Sequence, residues 1–208
     1  MFYALTVDDA LRFGDVVEGY ISTVPTIVKP TLNIIDAQGY KIDVRMPRYS
    51  VILSPCCSIR EETISLTPLI PAALNFFKNP YFAEDLTMIN RPMEPQQTLS
   101  PDGWEKLPPE EKQTRLAEGF NYAFLHFFVY EHHDLFPYYE LRDGAKNNNY
   151  IIDFRSTYRL NCGLILSPTN APLQSKCLQL SIETRSELRD KLVYYYSRVP
   201  EEDQVLQD

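Results

Sequence analysis

Proline is the feature of this sequence that most restricts what the chain can fold into. The 208 residues include 16 prolines and only 7 glycines, so turns depend on the fixed φ of proline more than on free backbone rotation. In the N-terminal third, prolines and a glycine separate short β-branched and aromatic runs, which predict short strands joined by tight turns. The predicted strands are Val16–Ile21, Thr26–Val28, Leu32–Ile35, Tyr40–Val44, Tyr49–Leu53 and Thr63–Leu66. Strands of this length and spacing predict a small antiparallel barrel.

The middle of the chain combines a proline-rich excursion with a second group of strands. Residues 71–119 are the excursion, whose aromatic and aliphatic side chains need burial in a core. Phe120–Tyr130 carries apolar groups on both of its alternating faces, which predicts a buried central strand. Tyr138–Leu141 and Tyr150–Phe154 predict a hairpin.

A C-terminal helix is predicted over residues 184–198. Thr184 opens a capping-box pattern, and the spacing of Leu188, Leu192 and Tyr195 predicts a stripe that packs on a sheet. We therefore predict one α+β domain, mainly β, over residues 1–208. Its parts are the start of the barrel at 13–70, the excursion at 71–119, strands at 120–181 and the helix at 184–198.

The acidic charge of the chain restricts its partners. A net charge of −8 repels a phosphate backbone, so it disfavours non-specific nucleic-acid binding. It favours a basic protein partner, such as a nucleic-acid-binding protein. The segment 41–60 is locally basic, and its candidate binding residues are Lys41, Arg45 and Arg60.

Targeting and cysteine patterns predict a cytoplasmic protein. The N-terminus lacks the basic and apolar regions of a signal peptide, and no apolar run approaches the roughly 20 residues of a membrane span. Cys56, Cys57, Cys162 and Cys177 show no CxxC spacing, so neither a disulfide framework nor a zinc site is predicted. We expect reduced thiols, no cofactor and no membrane contact.

Two short motifs near the N-terminus carry a family resemblance. The first is Gly14-Asp15-Val16-Val17, and the second is Arg48-Tyr49-Ser50-Val51-Ile52-Leu53-Ser54-Pro55. They resemble the GD-I/V-V opening and the R-P-x-V-V-L-S-P strand of the MazF/PemK toxin family, and Thr67-Pro68 ends a third strand where the family has one. The resemblance covers residues 13–70. It implies a small SH3-like antiparallel barrel, often homodimeric, here elaborated by the long insertion and the C-terminal helix.

The resemblance also implies an activity. Active members of the family are metal-independent endoribonucleases, in which the ribose 2′-hydroxyl attacks the phosphate. Arg48 matches the family's arginine, and a guanidinium suits an anionic transition state because it donates several hydrogen bonds and keeps its charge. The family's assisting hydroxyl residue follows the third strand's proline, but Leu69 follows Pro68 here. Thr67 is the nearest hydroxyl, and Tyr49 stands where the family usually has proline.

These departures favour a toxin-derived barrel that does not catalyse a reaction. Our leading hypothesis is that it binds a protein partner in a bacterial regulatory, toxin–antitoxin or defence system. The alternative is an endoribonuclease that cleaves single-stranded RNA with Arg48 and Thr67, and RNA is a partner only in that case. A homodimer is compatible with both hypotheses.

The densest polar cluster is Glu131-His132-His133-Asp134. His132, His133 and Asp134 are candidate metal ligands, but neighbours along a strand point to opposite faces and therefore do not converge on one ion. The pattern favours a strand end that turns into solvent. Cys56 and Cys57 follow a barrel strand and have no histidine nearby in sequence, so we interpret them as small buried side chains rather than nucleophiles.

Overall fold

The chain divides into two compact units that are interleaved along the sequence. Unit 1 comprises Met1–Thr6, Ile70–Ser156 and Leu180–Asp208, and unit 2 comprises Val7–Leu69 and Thr157–Gln179. This computed structural model describes residues 1–18, 22–27, 40–55, 59, 63–78, 80–91, 101–117, 126–161 and 176–197. The prediction of one domain over residues 1–208 stays a prediction.

The fold is α+β and mainly β, with antiparallel strands, as the sequence predicts. In chain order the strands are β1 (Val16–Glu18), β2 (Ser22–Ile27), β3 (Tyr40–Arg45), β4 (Tyr49–Ile52), β5 (Thr63–Pro71), β6 (Phe127–Tyr130), β7 (Tyr139–Glu140), β8 (Lys146–Asn147), β9 (Tyr150–Asp153), β10 (Tyr158–Asn161) and β11 (Lys176–Leu178). The α-helices are α1 (Pro80–Glu84), α2 (Pro101–Glu105), α3 (Pro109–Ala117) and α4 (Ile182–Ser197), and short 3-10 helices span Leu74–Lys78, Leu86–Asn90 and Phe154–Ser156. A search of the described helices finds none with the length and apolar character that crossing a membrane requires.

In unit 2 the strands follow the antiparallel order β11–β1–β4–β5–β10. Val16 lies opposite Val51 of β4, and Val51 lies opposite Thr67 of β5. Alternate residues of a strand share one face, and this periodicity builds the core of the unit. Its buried members are Leu11, Val17, Ile52, Ile59, Ile64 and Leu66.

The prediction that Tyr40–Val44 joins the same sheet is wrong. β3 pairs with β2 in a separate two-stranded ribbon, in which Ser22 lies opposite Arg45 and Ile27 lies opposite Tyr40. β4 already has β1 on one edge and β5 on the other, so it offers β3 no free edge. The predicted strand Leu32–Ile35 lies outside the described residues. No sheet of the described strands is closed, and the SH3-like barrel stays a prediction.

A buried ion pair joins β1 to β11 within unit 2. Asp15 Oδ2 lies 2.7 Å from Lys176 Nζ, and both side chains are almost completely withdrawn from solvent. The carboxylate also accepts the backbone N–H of Arg12 at 2.8 Å. The ammonium donates to the carbonyl of Ala10 at 2.6 Å and to Gln179 Oε1 at 2.8 Å. These contacts replace the water that each charge loses on burial.

In unit 1, β6 and β9 pair along their whole length, from Phe127 opposite Asp153 to Tyr130 opposite Tyr150. Successive strand residues point to opposite faces, and Phe128, Val129 and Tyr130 are all fully buried. The two-faced burial predicted for Phe120–Tyr130 is therefore confirmed for these residues. Residues 120–125 of that predicted strand lie outside the described part of the chain.

The predicted hairpin between Tyr138–Leu141 and Tyr150–Phe154 is wrong. β7 pairs with β8, placing Tyr139 opposite Asn147, while β9 pairs with β6. The chain reverses early because Gly144 adopts a φ of +80°, a conformation that costs glycine little. Asp143 Oδ1 stabilises the same turn by accepting the backbone N–H of Ala145 at 3.0 Å.

The proline-rich excursion supplies most of one hydrophobic core cluster in unit 1. Its short helices bury large apolar side chains, as their sequence requires. The buried members of this cluster are Ala72, Phe76, Phe82, Leu86, Ile89, Trp104, Val129 and Ile151. α3 begins at Pro109 and buries none of its residues.

Ser181, rather than the predicted Thr184, caps α4. Ser181 Oγ accepts the backbone N–H of Thr184 at 3.2 Å, and the carbonyl of Ser181 accepts the N–H of Arg185 at 3.0 Å. The helix therefore begins at Ile182, before the predicted start at residue 184. Of the predicted stripe, Leu188 is buried, whereas Leu192 and Tyr195 are only half-buried.

Lys191 occupies the buried face of α4 without a carboxylate partner among the described residues. The residue is 3% exposed, and its Nζ donates to the carbonyl of Ile89. Burial lowers the pKa of Lys191 to about 7. The lysine thus connects α4 to the 3-10 helix Leu86–Asn90 by a hydrogen bond. Removing its amine from water is unfavourable, and this opposes the contact.

Replacing Lys176 with methionine should lower the free energy of unfolding by roughly 3–5 kcal/mol, because Asp15 would stay buried without its cation. Urea unfolding at neutral pH measures the change. The matched control is Arg189→Met, which removes the exposed 3.6 Å pair with Asp190 and should cost at most about 1 kcal/mol. Equal losses in the two variants would contradict a structural role for the buried pair.

The stability of the protein should rise with pH above about 7, in part because of Lys191. The amine has a pKa of about 7 in the folded chain against 10.5 for an ordinary lysine, so the unfolded chain binds the extra proton between these values. Below this window both states are protonated and the contribution is constant. Lys191→Met should remove up to about 4 kcal/mol of the rise between about pH 7 and about pH 10.

Urea unfolding across this pH range tests the lysine, with Lys146→Met as the control because Lys146 is exposed. The slopes of stability against pH are compared between each variant and the parent chain. A Lys191→Met slope identical to that of the parent would show that the amine is not neutralised by folding.

Candidate functional site

The predicted nuclease residues do not share a surface. Arg48 is exposed between β3 and β4, with its guanidinium carbon 5.3 Å from the centre of the Tyr49 ring. Thr67 is fully buried in β5. A phosphodiester in solvent can therefore contact Arg48 but not Thr67, whereas a catalytic group must reach the reacting atoms.

The predicted basic segment is described only in part. Arg45 is exposed at the end of β3, and Arg48 is exposed three residues later. Lys41 lies in β3, but its side chain is outside the described part of the chain, as is Arg60. The exposed cations that can be placed are therefore Arg45 and Arg48.

The candidate metal ligands make separate contacts in the loop after β6. His132 Nδ1 lies 2.5 Å from Asn148 Oδ1, and its Nε2 lies 3.8 Å from Asp134. His133 Nδ1 accepts the backbone N–H of Leu135 at 3.2 Å. Within the described ranges, no group of three His, Cys, Asp or Glu side chains is placed to hold a metal ion.

Unit 1 contains a cavity of about 330 Å³ beside α4, which we call the smaller cavity. Its walls come from the N-terminal segment, the 3-10 helix Leu86–Asn90, the residue after β6 and the first turns of α4. The lining residues are Met1, Phe2, Thr87, Asn90, Arg91, Glu131, Glu183, Thr184 and Glu187. Glu183 and Glu187 are four positions apart, so α4 presents both carboxylates on one side.

A second cavity of about 680 Å³, the larger cavity, also has Thr87 and Glu131 in its wall. It is bounded by α1, the 3-10 helix, the loop after β6 and the β7–β8 hairpin. The lining residues are Phe77, Ala83, Glu84, Asp85, Leu86, Thr87, Glu131, His132, Leu141, Asn147 and Asn149. The two cavities thus meet at Thr87 and Glu131.

Negative charge dominates both cavities. The lining carboxylates are Glu84, Asp85, Glu131, Glu183 and Glu187, and Arg91 is the only lysine or arginine among the lining residues. In the described part of the chain, none of these carboxylates lies within 4 Å of a lysine or arginine nitrogen. Partial burial raises the pKa of Glu131, and repulsion from Asp85 and Glu187 raises it further, whereas the N-terminal ammonium lowers it. The acidic groups therefore act on one another, and the N-terminal ammonium of the chain offsets part of their repulsion.

Hydrogen bonds between side chains and backbone groups hold the walls of the two cavities in place. Asn90 is buried, and its side chain donates to the carbonyl of Val129 at 2.7 Å and accepts the N–H of Val129 at 2.6 Å. The hydroxyl of Tyr3 donates to the carbonyl of Glu131 at 2.5 Å. These contacts fix the position of Glu131, which lies just after β6.

The lining groups suit a ligand that is cationic at one end and apolar along its length. Carboxylates accept hydrogen bonds from a guanidinium or an ammonium. Phe77 and Leu86 offer the larger cavity an apolar wall, along which the methylene stem of a lysine or arginine can pack.

Neither cavity was predicted from the sequence, although the polar cluster that starts at Glu131 was. One local signal was available, because Glu183 and Glu187 have the spacing of neighbours on a helix. Residues 84–87, 131 and 183–187 are far apart in the sequence, and only the fold brings them together around the cavities.

The comparisons with known proteins give no relatives for this chain. No family profile, no curated protein and no solved structure matches it.

Proposed function

We propose that this chain is a non-catalytic protein-binding module that takes a basic partner in a bacterial regulatory, toxin–antitoxin or defence system. The observation that carries the proposal is the set of carboxylates around the two adjoining cavities, none of which lies within 4 Å of a lysine or arginine nitrogen among the described residues. The net charge of −8 acts in the same direction at longer range.

A basic partner is favoured by electrostatic attraction to the cavities. Clustered carboxylates that repel one another raise the free energy of the unbound protein. A guanidinium placed between them relieves this repulsion and forms charge-assisted hydrogen bonds, which are about twice as strong as neutral ones. Complementary charge also accelerates association and excludes acidic partners.

We further propose that unit 2 derives from a MazF-like toxin barrel. The neighbouring antiparallel strands β1, β4 and β5 include the motifs that resemble the family. Gly14 adopts a φ of +85° directly before Asp15 and β1, which suits a glycine that turns the chain into a first strand. The closed SH3-like barrel and a homodimer belong to the same proposal.

Removing charge from the cavities should weaken the binding of a short arginine-rich peptide. The variant is Glu131→Gln with Glu187→Gln, which keeps the shape of both side chains. We expect the dissociation constant, measured by calorimetry at low salt, to rise roughly tenfold or more, because charge-assisted contacts are lost.

The control is Glu110→Gln with Glu140→Gln, which removes the same charge from exposed residues that line neither cavity. This variant should lose affinity only through the weaker long-range attraction, which salt screens. If both variants lose the same affinity, the peptide senses net charge alone and the cavities are not the binding site.

The alternative function, endoribonuclease activity, is favoured by one observation, the exposure of Arg48 close to Arg45. Our proposal predicts that single-stranded RNA incubated with the protein in EDTA yields no fragments ending in cyclic phosphate. The reason is the burial of Thr67, which leaves Arg48 without an accessible hydroxyl partner. Mass spectrometry of the RNA ends measures the outcome.

Arg48→Ala and Arg142→Ala are the paired variants for this experiment, since both remove an exposed arginine. Cyclic-phosphate fragments that disappear with Arg48→Ala but persist with Arg142→Ala would establish the nuclease and refute the non-catalytic proposal.

A further inference from the structure

The larger cavity contains an amide group whose orientation is fixed by the protein. Asn147 Oδ1 accepts the backbone N–H of Asn149 at 2.6 Å and the side-chain amide of Asn149 at 2.8 Å. The hydroxyl of Tyr139 lies 3.2 Å from this oxygen and donates to the carbonyl of Asn149 at 2.8 Å. A backbone N–H can only donate, so the atom it contacts must be the amide oxygen. Burial raises the pKa of Tyr139 to about 12, so its hydroxyl also stays a donor at neutral pH.

The other end of the same amide is left for a ligand. With its oxygen engaged by the backbone N–H and the side-chain amide of Asn149, the Nδ2 of Asn147 carries two N–H groups and has no protein acceptor in the described part of the chain. Asn147 lies at the end of β8 and lines the larger cavity. A donor held in this way, in the wall of a cavity, is suited to a carbonyl or another neutral acceptor.

The remaining walls of the larger cavity present a different chemistry. Glu84, Asp85 and Glu131 supply acceptors for a cation, while Phe77 and Leu86 supply apolar surface. A ligand that satisfies all of these groups needs a positive group, a methylene stem and a neutral acceptor. A lysine or arginine residue in a peptide chain has all three parts, since its own backbone carbonyl is the acceptor.

We infer that the larger cavity is a subsite for one basic residue of the partner, with its side chain among Glu84, Asp85 and Glu131 and its own backbone carbonyl accepting a hydrogen bond from Asn147. The inference rests on the proposed function and names what the partner presents. The volume of about 680 Å³ is within the range of about 300–1,000 Å³ typical of ligand pockets. It accommodates a long side chain together with part of its backbone.

Asn147→Asp provides a test in which charge and hydrogen bonding predict opposite results. The aspartate keeps the acceptor oxygens that the backbone N–H and the side-chain amide of Asn149 contact, so the hairpin retains these hydrogen bonds. It adds one negative charge, which by itself strengthens the attraction of a basic peptide, but it removes the donor. We expect the dissociation constant for the short arginine-rich peptide to rise roughly tenfold, as for the loss of one hydrogen bond to a buried acceptor.

Changes in the peptide separate the two contacts. Replacing arginine with citrulline, which is neutral and nearly isosteric, should weaken binding to the parent protein roughly tenfold or more. Replacing the peptide bond after the arginine with a trans alkene removes the carbonyl. This change should weaken binding to the parent protein but not weaken binding to Asn147→Asp any further.

The outcomes distinguish this inference from the proposed function. Tighter binding by Asn147→Asp, or equal losses from the alkene in both proteins, would overturn the inference. The proposed function would still stand if Glu131→Gln with Glu187→Gln weakened binding more than its control. The citrulline peptide controls for folding, because a folded Asn147→Asp protein should still bind the arginine peptide more tightly than the citrulline peptide.

Discussion

The side chain of Asn90 is the interaction on which the candidate site depends. β6 lies at the edge of its sheet among the described strands, so one side of Val129 has no neighbouring strand. The amide of Asn90 bonds both the N–H and the carbonyl of Val129 and thereby takes the place of a paired strand residue. Buried backbone groups need such partners. The same contact holds the 3-10 helix Leu86–Asn90 against β6, and these elements form a shared wall of both cavities.

Lys191 extends this arrangement to α4. Its Nζ donates to the carbonyl of Ile89, the residue next to Asn90. The end of the 3-10 helix is therefore held by β6 on one side and by α4 on another. A buried amine is a costly way to make this contact, and it makes the docking of α4 depend on pH. Since α4 supplies Glu183 and Glu187 to the smaller cavity, the geometry of the site depends on a contact whose strength varies with protonation.

Local sequence patterns predicted the positions of most strands and helices. They did not predict which strands pair with one another. Runs of β-branched and aromatic residues predicted β4 and β5, because this signal acts within a few residues. The pairing of β3 with β2 and of β9 with β6 depends on which strand edges remain free, and no local pattern encodes that. Ser181 was missed as the helix cap because Thr184 also fits a capping box. Both are hydroxyl residues, and only the start of the helix decides between them.

The site was less predictable than the fold for the same reason. His132 and Asp134 are close in sequence and attracted notice as metal ligands, yet the group that matters beside them is Glu131. Its significance comes from Asp85 and Glu187, which are distant in sequence and raise its pKa. Carboxylates that repel one another in a folded protein oppose its stability, and apolar or neutral residues at these positions would avoid that cost. In the proposed function, a cationic partner relieves this repulsion when it enters the cavities, and the relief contributes to the free energy of binding.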